Sequence, residues 1–178
     1  MTATVSPTAD QVDGALRSFL LSVLPSGVEV IRGQANRVPA PRVPNYVVFT
    51  DMRNPRLATN VDTWDESAPA IEMRYEQETD AVYQVDVYGP ASADNARIVT
   101  TLFRDEFAAS FFRDNGGFAS PLYADDPRQL PFRDENQQIE TRWVFEAHLQ
   151  VDAVVTIEQP FADSGKVGVI NVDAEYPG

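Results

Sequence analysis

Ile139-Glu140-Thr141-Arg142-Trp143-Val144-Phe145-Glu146-Ala147-His148-Leu149-Gln150-Val151 is the stretch on which the fold turns. Ile139, Trp143, Phe145, Leu149 and Val151 recur at a period of two with Thr141 and Ala147. Glu140, Arg142, Glu146, His148 and Gln150 fall between them. Such alternation predicts a half-buried strand, apolar on one face and polar on the other. His148 is thereby expected on the solvent side.

Upstream, Ile71, Met73 and Tyr75 alternate with Glu72, Arg74 and Glu76, and the alternation returns at Tyr83, Val85 and Val87. With a polar turn near Glu78–Asp80, this reads as a hairpin. Gly89-Pro90 ends it. One long helix is expected next, capped by Ser92, with Ile98, Val99, Leu102, Phe103, Phe107 and Phe111 at i+3 and i+4 spacing and Asn115-Gly116-Gly117 as its stop. Residues 118–137, with Pro121, Pro127 and Pro131, read as an ordered surface loop.

Towards the N-terminus, Thr8 and Gln11 have the spacing of a capping box, and Val12, Leu16, Phe19, Leu20 and Val23 form one stripe. A first helix over Thr8–Leu24 follows, stopped by Pro25-Ser26-Gly27. Val28 to Ile31 is a short strand. Gln34–Asn45, holding Pro39, Pro41 and Pro44, lacks the donors of a central strand. Tyr46–Thr50 resumes the sheet, and Asp51–Pro69 reads as a long excursion from it. The predicted class is α+β: a single mixed sheet with two main helices packed on a face, and extended loops. Residues 1–7 are set apart as an N-terminal extension, 8–159 as the domain, and 160–178 as a C-terminal arm or last strand.

The 178 residues suffice for about one domain, and 43% hydrophobic with 23% charged residues is a globular composition. Mean hydropathy is −0.28. No apolar run approaches the roughly 18 residues of a membrane span. Met1–Pro7 lacks the basic and apolar regions of a leader, so a cytoplasmic protein is expected. Without cysteine, thiol nucleophiles, disulfides and zinc ribbons are excluded, and the single His148 excludes multi-histidine metal sites.

No catalytic constellation emerges. His148 has no G-x-S-x-G elbow beside it, and neither phosphate-binding glycine motif is present. Carboxylate pairs such as Asp105/Glu106 and Asp125/Asp126 are expected by chance among 27 acids. No catalytic, metal or cofactor residue is assigned.

Charge is more informative. Residues 1–61 hold six arginines against four acids, a balance of +2, so residues 62–178 carry −15 of the total −13. That acidity opposes nucleic-acid binding by counterion release. Thirteen of the fourteen basic residues are arginine. Arginine suits bidentate carboxylate contacts across interfaces, although a GC-rich genome gives the same excess. The interface candidates are Asn36, Arg37, Arg42, Arg53 and Arg56, and the acids Asp62, Asp65 and Glu66 are candidates to line a channel.

Val30-Ile31-Arg32-Gly33-Gln34-Ala35-Asn36-Arg37-Val38-Pro39, then Pro41, Pro44 and the strand Tyr46–Thr50, resembles the neck or tail terminator proteins of tailed bacteriophages. Arg56–Asn60 and Tyr83–Gly89 extend the resemblance, which covers most of residues 10–155. It implies a non-enzymatic subunit without cofactors that forms a hexameric ring on the tail tube. Its partners would be the tube protein, the neck connector and, in a contractile tail, a sheath protein. DNA would pass through the ring without specific binding. The protein would sit at the neck/tail junction of the virion after assembly in the host cytoplasm. The alternatives are a neck stopper or adaptor ring facing the portal, and a carboxylate-dependent cell-wall hydrolase.

Overall fold

The computed structural model describes residues 2–34, 41–65, 72–133 and 139–158. The order of elements is β1 (Ala3–Ser6), α1 (Ala9–Val23), β2 (Glu29–Arg32), β3 (Tyr46–Arg53), β4 (Val61–Asp65), β5 (Glu72–Tyr88), α2 (Ser92–Phe103), α3 (Glu106–Asp114), β6 (Ala119–Ala124), β7 (Arg128–Arg133) and β8 (Ile139–Glu158). All eight described strands join one open sheet, whose main path is β1-β8-β5-β3-β2. Only the β2–β3 pairing is parallel among those described, so the sheet is mixed and the class α+β, as the sequence predicts.

The axis of the sheet is the antiparallel pair β5–β8. Its register runs unbroken from Glu72↔Glu158 to Tyr88↔Arg142. Along its outer edge β8 is paired in turn by β7, β6 and β1, while the outer edge of β5 is paired by β3 and β4.

The three helices cover one face of this axis over about half its length. Odd-numbered positions face them: Ala81, Tyr83, Val85 and Val87 of β5 and Phe145, Ala147, Leu149 and Val151 of β8 join the core with α1, α2 and α3. Phe19 of α1 is the hub, its ring centroid 5.5 Å from those of Phe103 and Phe112 and 5.6 Å from that of Phe111. Edge-on and offset ring pairs of this kind add to the area they bury. The capping box of α1 forms as expected: Thr8 Oγ1 accepts from the Gln11 amide, and the Gln11 side chain accepts from the Thr8 amide at 2.7 Å.

Several sequence expectations need correction. The Glu78–Asp80 hairpin turn does not exist, because β5 continues as one strand of 17 residues. Glu-Thr-Asp supplies no glycine or asparagine for the positive φ that a tight hairpin requires. The Asp51–Pro69 excursion contains β4, paired with the first half of β5. The loop 118–137 contains β6 and β7, both on β8.

The long second helix is two. Asp105, as N-cap, accepts from the Phe107 amide and restarts the chain as α3. Ser92 does not cap α2: it is the first helical residue and is buried, while Asn45 Oδ1 accepts from the Ala91 amide just before it. Residues 3–6, within the extension assigned from sequence, form β1. The reading of 160–178 as an arm or last strand falls outside the described residues.

Candidate assembly surface

The axis continues beyond the helix-covered core. Val61–Asp65, Glu72–Glu78, Asp152–Glu158 and Ala3–Ser6 form a four-stranded wing in the order β4-β5-β8-β1. Because side chains alternate and paired residues share a face, the register divides the wing into two unlike surfaces. On the side continuous with the core stand Val5, Trp64, Met73, Tyr75, Val155 and Ile157, brought together by Trp64↔Met73↔Ile157 and Tyr75↔Val155↔Val5. Trp64 is 60% exposed and Val5 50%. Where the wing leaves the body, a pocket of about 220 Å³ opens between α1 and the sheet, lined by Pro7, Val12, Thr79, Ala81, Val151 and Ala153.

The opposite side of the wing carries Glu72, Glu76, Glu78, Asp152, Glu158 and Asp65 with one arginine, Arg74. Arg74 pairs with Asp65 at 2.9 Å and approaches Glu72 at 3.7 Å. Six of the chain's 27 acidic residues thus share one side of the wing with a single arginine.

The sequence candidates fall as follows. Asp62 and Asp65 share β4 but face opposite sides, Asp62 with Tyr75 and Asp65 with Glu72. Arg53 ends β3 and pairs with Glu146 at 3.0 Å. Arg56 bridges to Thr79 through the backbone at the point where β5 passes into the wing. Arg42 is exposed, and its amide donates to Glu29 at 3.3 Å. Asn36, Arg37 and Glu66 lie outside the described residues.

On the face of the body away from the helices, His148 departs from expectation. It is 4% exposed, and its ring is stacked by Tyr123 of β6 at 4.1 Å. Its Nδ1 bonds the Asp80 carboxylate at 2.8 Å, and Glu146 and Asp125 stand close to the ring. Further along, Arg142 donates twice to buried Asp86, at 2.7 and 3.0 Å, and lies 5.7 Å from the Tyr88 ring centroid. Tyr88 stacks on Tyr46. Burial, aided by Glu140, pushes the Tyr46 phenol up to about 12. On the helix side, burial and a 2.8 Å bond to Asp13 push the Tyr83 phenol up. Asp13 is also paired with Arg32 at 2.7 Å. The wing and the His148 cluster escaped sequence reading because both depend on cross-strand register; the one available signal was the alternation of Ile71–Glu76.

One open mixed sheet, the described helices on a single face and a sheet extension apolar on one side and acidic on the other define the class, an α+β protein with a large two-faced surface. The chain matches the phage neck terminator protein family over residues 10–175. It belongs to that family, and is thus a structural, tail-terminating component of a phage virion. Among solved structures it is similar to the sheath/tube terminator of PVC, an extracellular contractile injection system, in its extended state. That match has 12% identity and a TM-score of 0.43, and covers 96% of this chain and 64% of the other. The chain therefore spans less than two thirds of that protein's length. No curated protein matches in sequence. The hydrolase alternative finds no support in the family.

Proposed function

We propose that copies of this chain close into a ring, a hexamer, which ends the tail tube and joins it to the neck connector, each wing seating its apolar face on the neighbouring copy. The observation that carries this reading is the apolar side of the wing, where Trp64 and Val5 are exposed and Tyr75, Val155 and Ile157 half-buried beside buried Met73. Fully burying a large apolar side chain stabilises by roughly 1.5–3 kcal/mol. A head-to-tail contact whose rotation closes gives a ring.

With the apolar side against a neighbour, the acidic side is left for the channel. An acidic lining holds no DNA: each phosphate neutralised by Lys or Arg adds salt-sensitive affinity, and carboxylates offer none. Their repulsion reaches only ~8 Å at physiological salt. In this arrangement Asp65 serves the channel and Asp62 the rim of the subunit contact. Arg42 and Arg56, with Asn36 and Arg37, remain contacts to neighbouring subunits or the tube. The subunit acts by contact and not by catalysis. The tube protein, the connector and, in a contractile tail, the sheath are its partners, met in the host cytoplasm during assembly.

Native mass spectrometry with electron microscopy of tube-bound protein tests the ring. Closed rings are expected from the native chain, and few or none from Trp64→Glu, whose melting temperature should stay close to native because the indole is mostly exposed. Monomers only, an open filament, or rings formed equally well by Trp64→Glu would refute the reading.

A further inference from the structure

The His148 cluster lies on the body, outside the wing. We propose that Asp125, Glu146 and His148 bind one divalent transition cation of the zinc type. One ligand atom from each residue lies within 4.8 Å of the others. Ligands at about 2.0–2.2 Å from a shared zinc stand roughly 3–4 Å apart, so the set closes on an ion with side-chain shifts of about 1 Å.

The histidine is already oriented for the purpose. Asp80 meets Nδ1 at 2.8 and 3.0 Å, so in the neutral ring that nitrogen donates and Nε2 carries the lone pair. Nε2 points towards Glu146, at 3.9 Å, too far for a hydrogen bond. The imidazole is 5% exposed and is covered by Tyr123. A buried ring held by a carboxylate on one nitrogen, with a second carboxylate near the other, is the arrangement that fixes tautomer and raises basicity in metal-bound histidines.

The carboxylates are placed as firmly. Glu146 and His148 are two residues apart on β8 and so share a face. Asp125 is tied beside them, its amide donating to the Glu146 carbonyl at 2.8 Å. Arg53 pairs at 3.0 Å with Oε2 of Glu146, the same oxygen that stands 3.9 Å from Nε2, so the carboxylate would turn its free Oε1 to the ion. Asp80, Asp125 and Glu146 against Arg53 leave two negative charges, which a dication balances. One imidazole nitrogen with two carboxylates favours Zn²⁺ or Co²⁺ over Mg²⁺ or Ca²⁺, which prefer oxygen throughout. Water would complete the coordination. The ion would lock the β6–β7 connection to β8.

The test uses the full chain stripped with a chelator and titrated with Zn²⁺ by calorimetry and with Co²⁺ by visible absorption. One ion per chain is expected, with a cobalt spectrum of mixed nitrogen and oxygen ligation and a melting temperature raised by excess Zn²⁺. Asp125 is exposed, so Asp125→Asn should fold normally and lose at least tenfold in affinity. Asp80→Asn should lose roughly 10–100-fold while keeping the stoichiometry. Several weak ions per chain unaffected by Asp125→Asn, equal binding of Mg²⁺, or no saturable binding would each overturn the proposal.

Discussion

Thr8 closes the first turn of α1 with its hydroxyl and its amide, both bonded to Gln11. Removing the hydroxyl in Thr8→Ala is expected to cost about 1 kcal/mol, read as a lower urea midpoint at unchanged slope. Tyr46 makes a pH-dependent contribution. Its phenol ionises at about 12 in the folded protein against 10.0 ordinarily, so between those values the unfolded chain releases a proton that the folded chain keeps. Stability from this group is complete below pH 10 and falls as pH rises towards 12. Urea midpoints measured from pH 9 to about 11.5 should decline, and less steeply in Tyr46→Phe. At this scale the capping box was legible because both partners lie three residues apart. His148 was misjudged because alternation assigns a face and says nothing of what covers it. Tyr123, which covers it, is 25 residues away, on a strand the sequence hid.

Among the elements, legibility followed locality. α1 was readable from its stripe and caps, whereas β6 and β7 carry Pro121 and Pro131, which argue against strands in general but are tolerated where a strand forms an edge. Both pair with β8 alone among the described strands, and Pro121 adjoins a register shift. The β5 axis was misread as a hairpin because Thr79 looks like a turn residue. In the sheet it is buried, and its hydroxyl donates to the Val151 carbonyl at 3.0 Å. The junction of β5 and α2 depends on Gly89, at φ +100°, where a Cβ would collide with the Pro44 carbonyl. Gly89→Ala should therefore destabilise by roughly 1–3 kcal/mol in chemical denaturation. Asp105→Ala removes the cap that begins α3 and is expected to cost about 1 kcal/mol by the same measurement.

For the whole molecule, the net charge of −13 predicts that the assembled protein does not retain duplex DNA. A filter or mobility-shift assay should show no binding at about 50 mM salt, where basic proteins bind most strongly. Charge excess was legible from composition, but the gathering of six acids on one side of the wing was not, since it requires the register of three strands. That register has a consequence for how the family can vary. In a two-faced ribbon whose register is unbroken over 17 pairs, inserting a single residue exchanges the two faces outboard of the insertion. A carboxylate would then stand wherever a partner expects an indole. Length changes in this arm should accordingly come in even numbers, matched on β5 and β8, and a lone inserted residue should survive only as a local bulge that restores the phase.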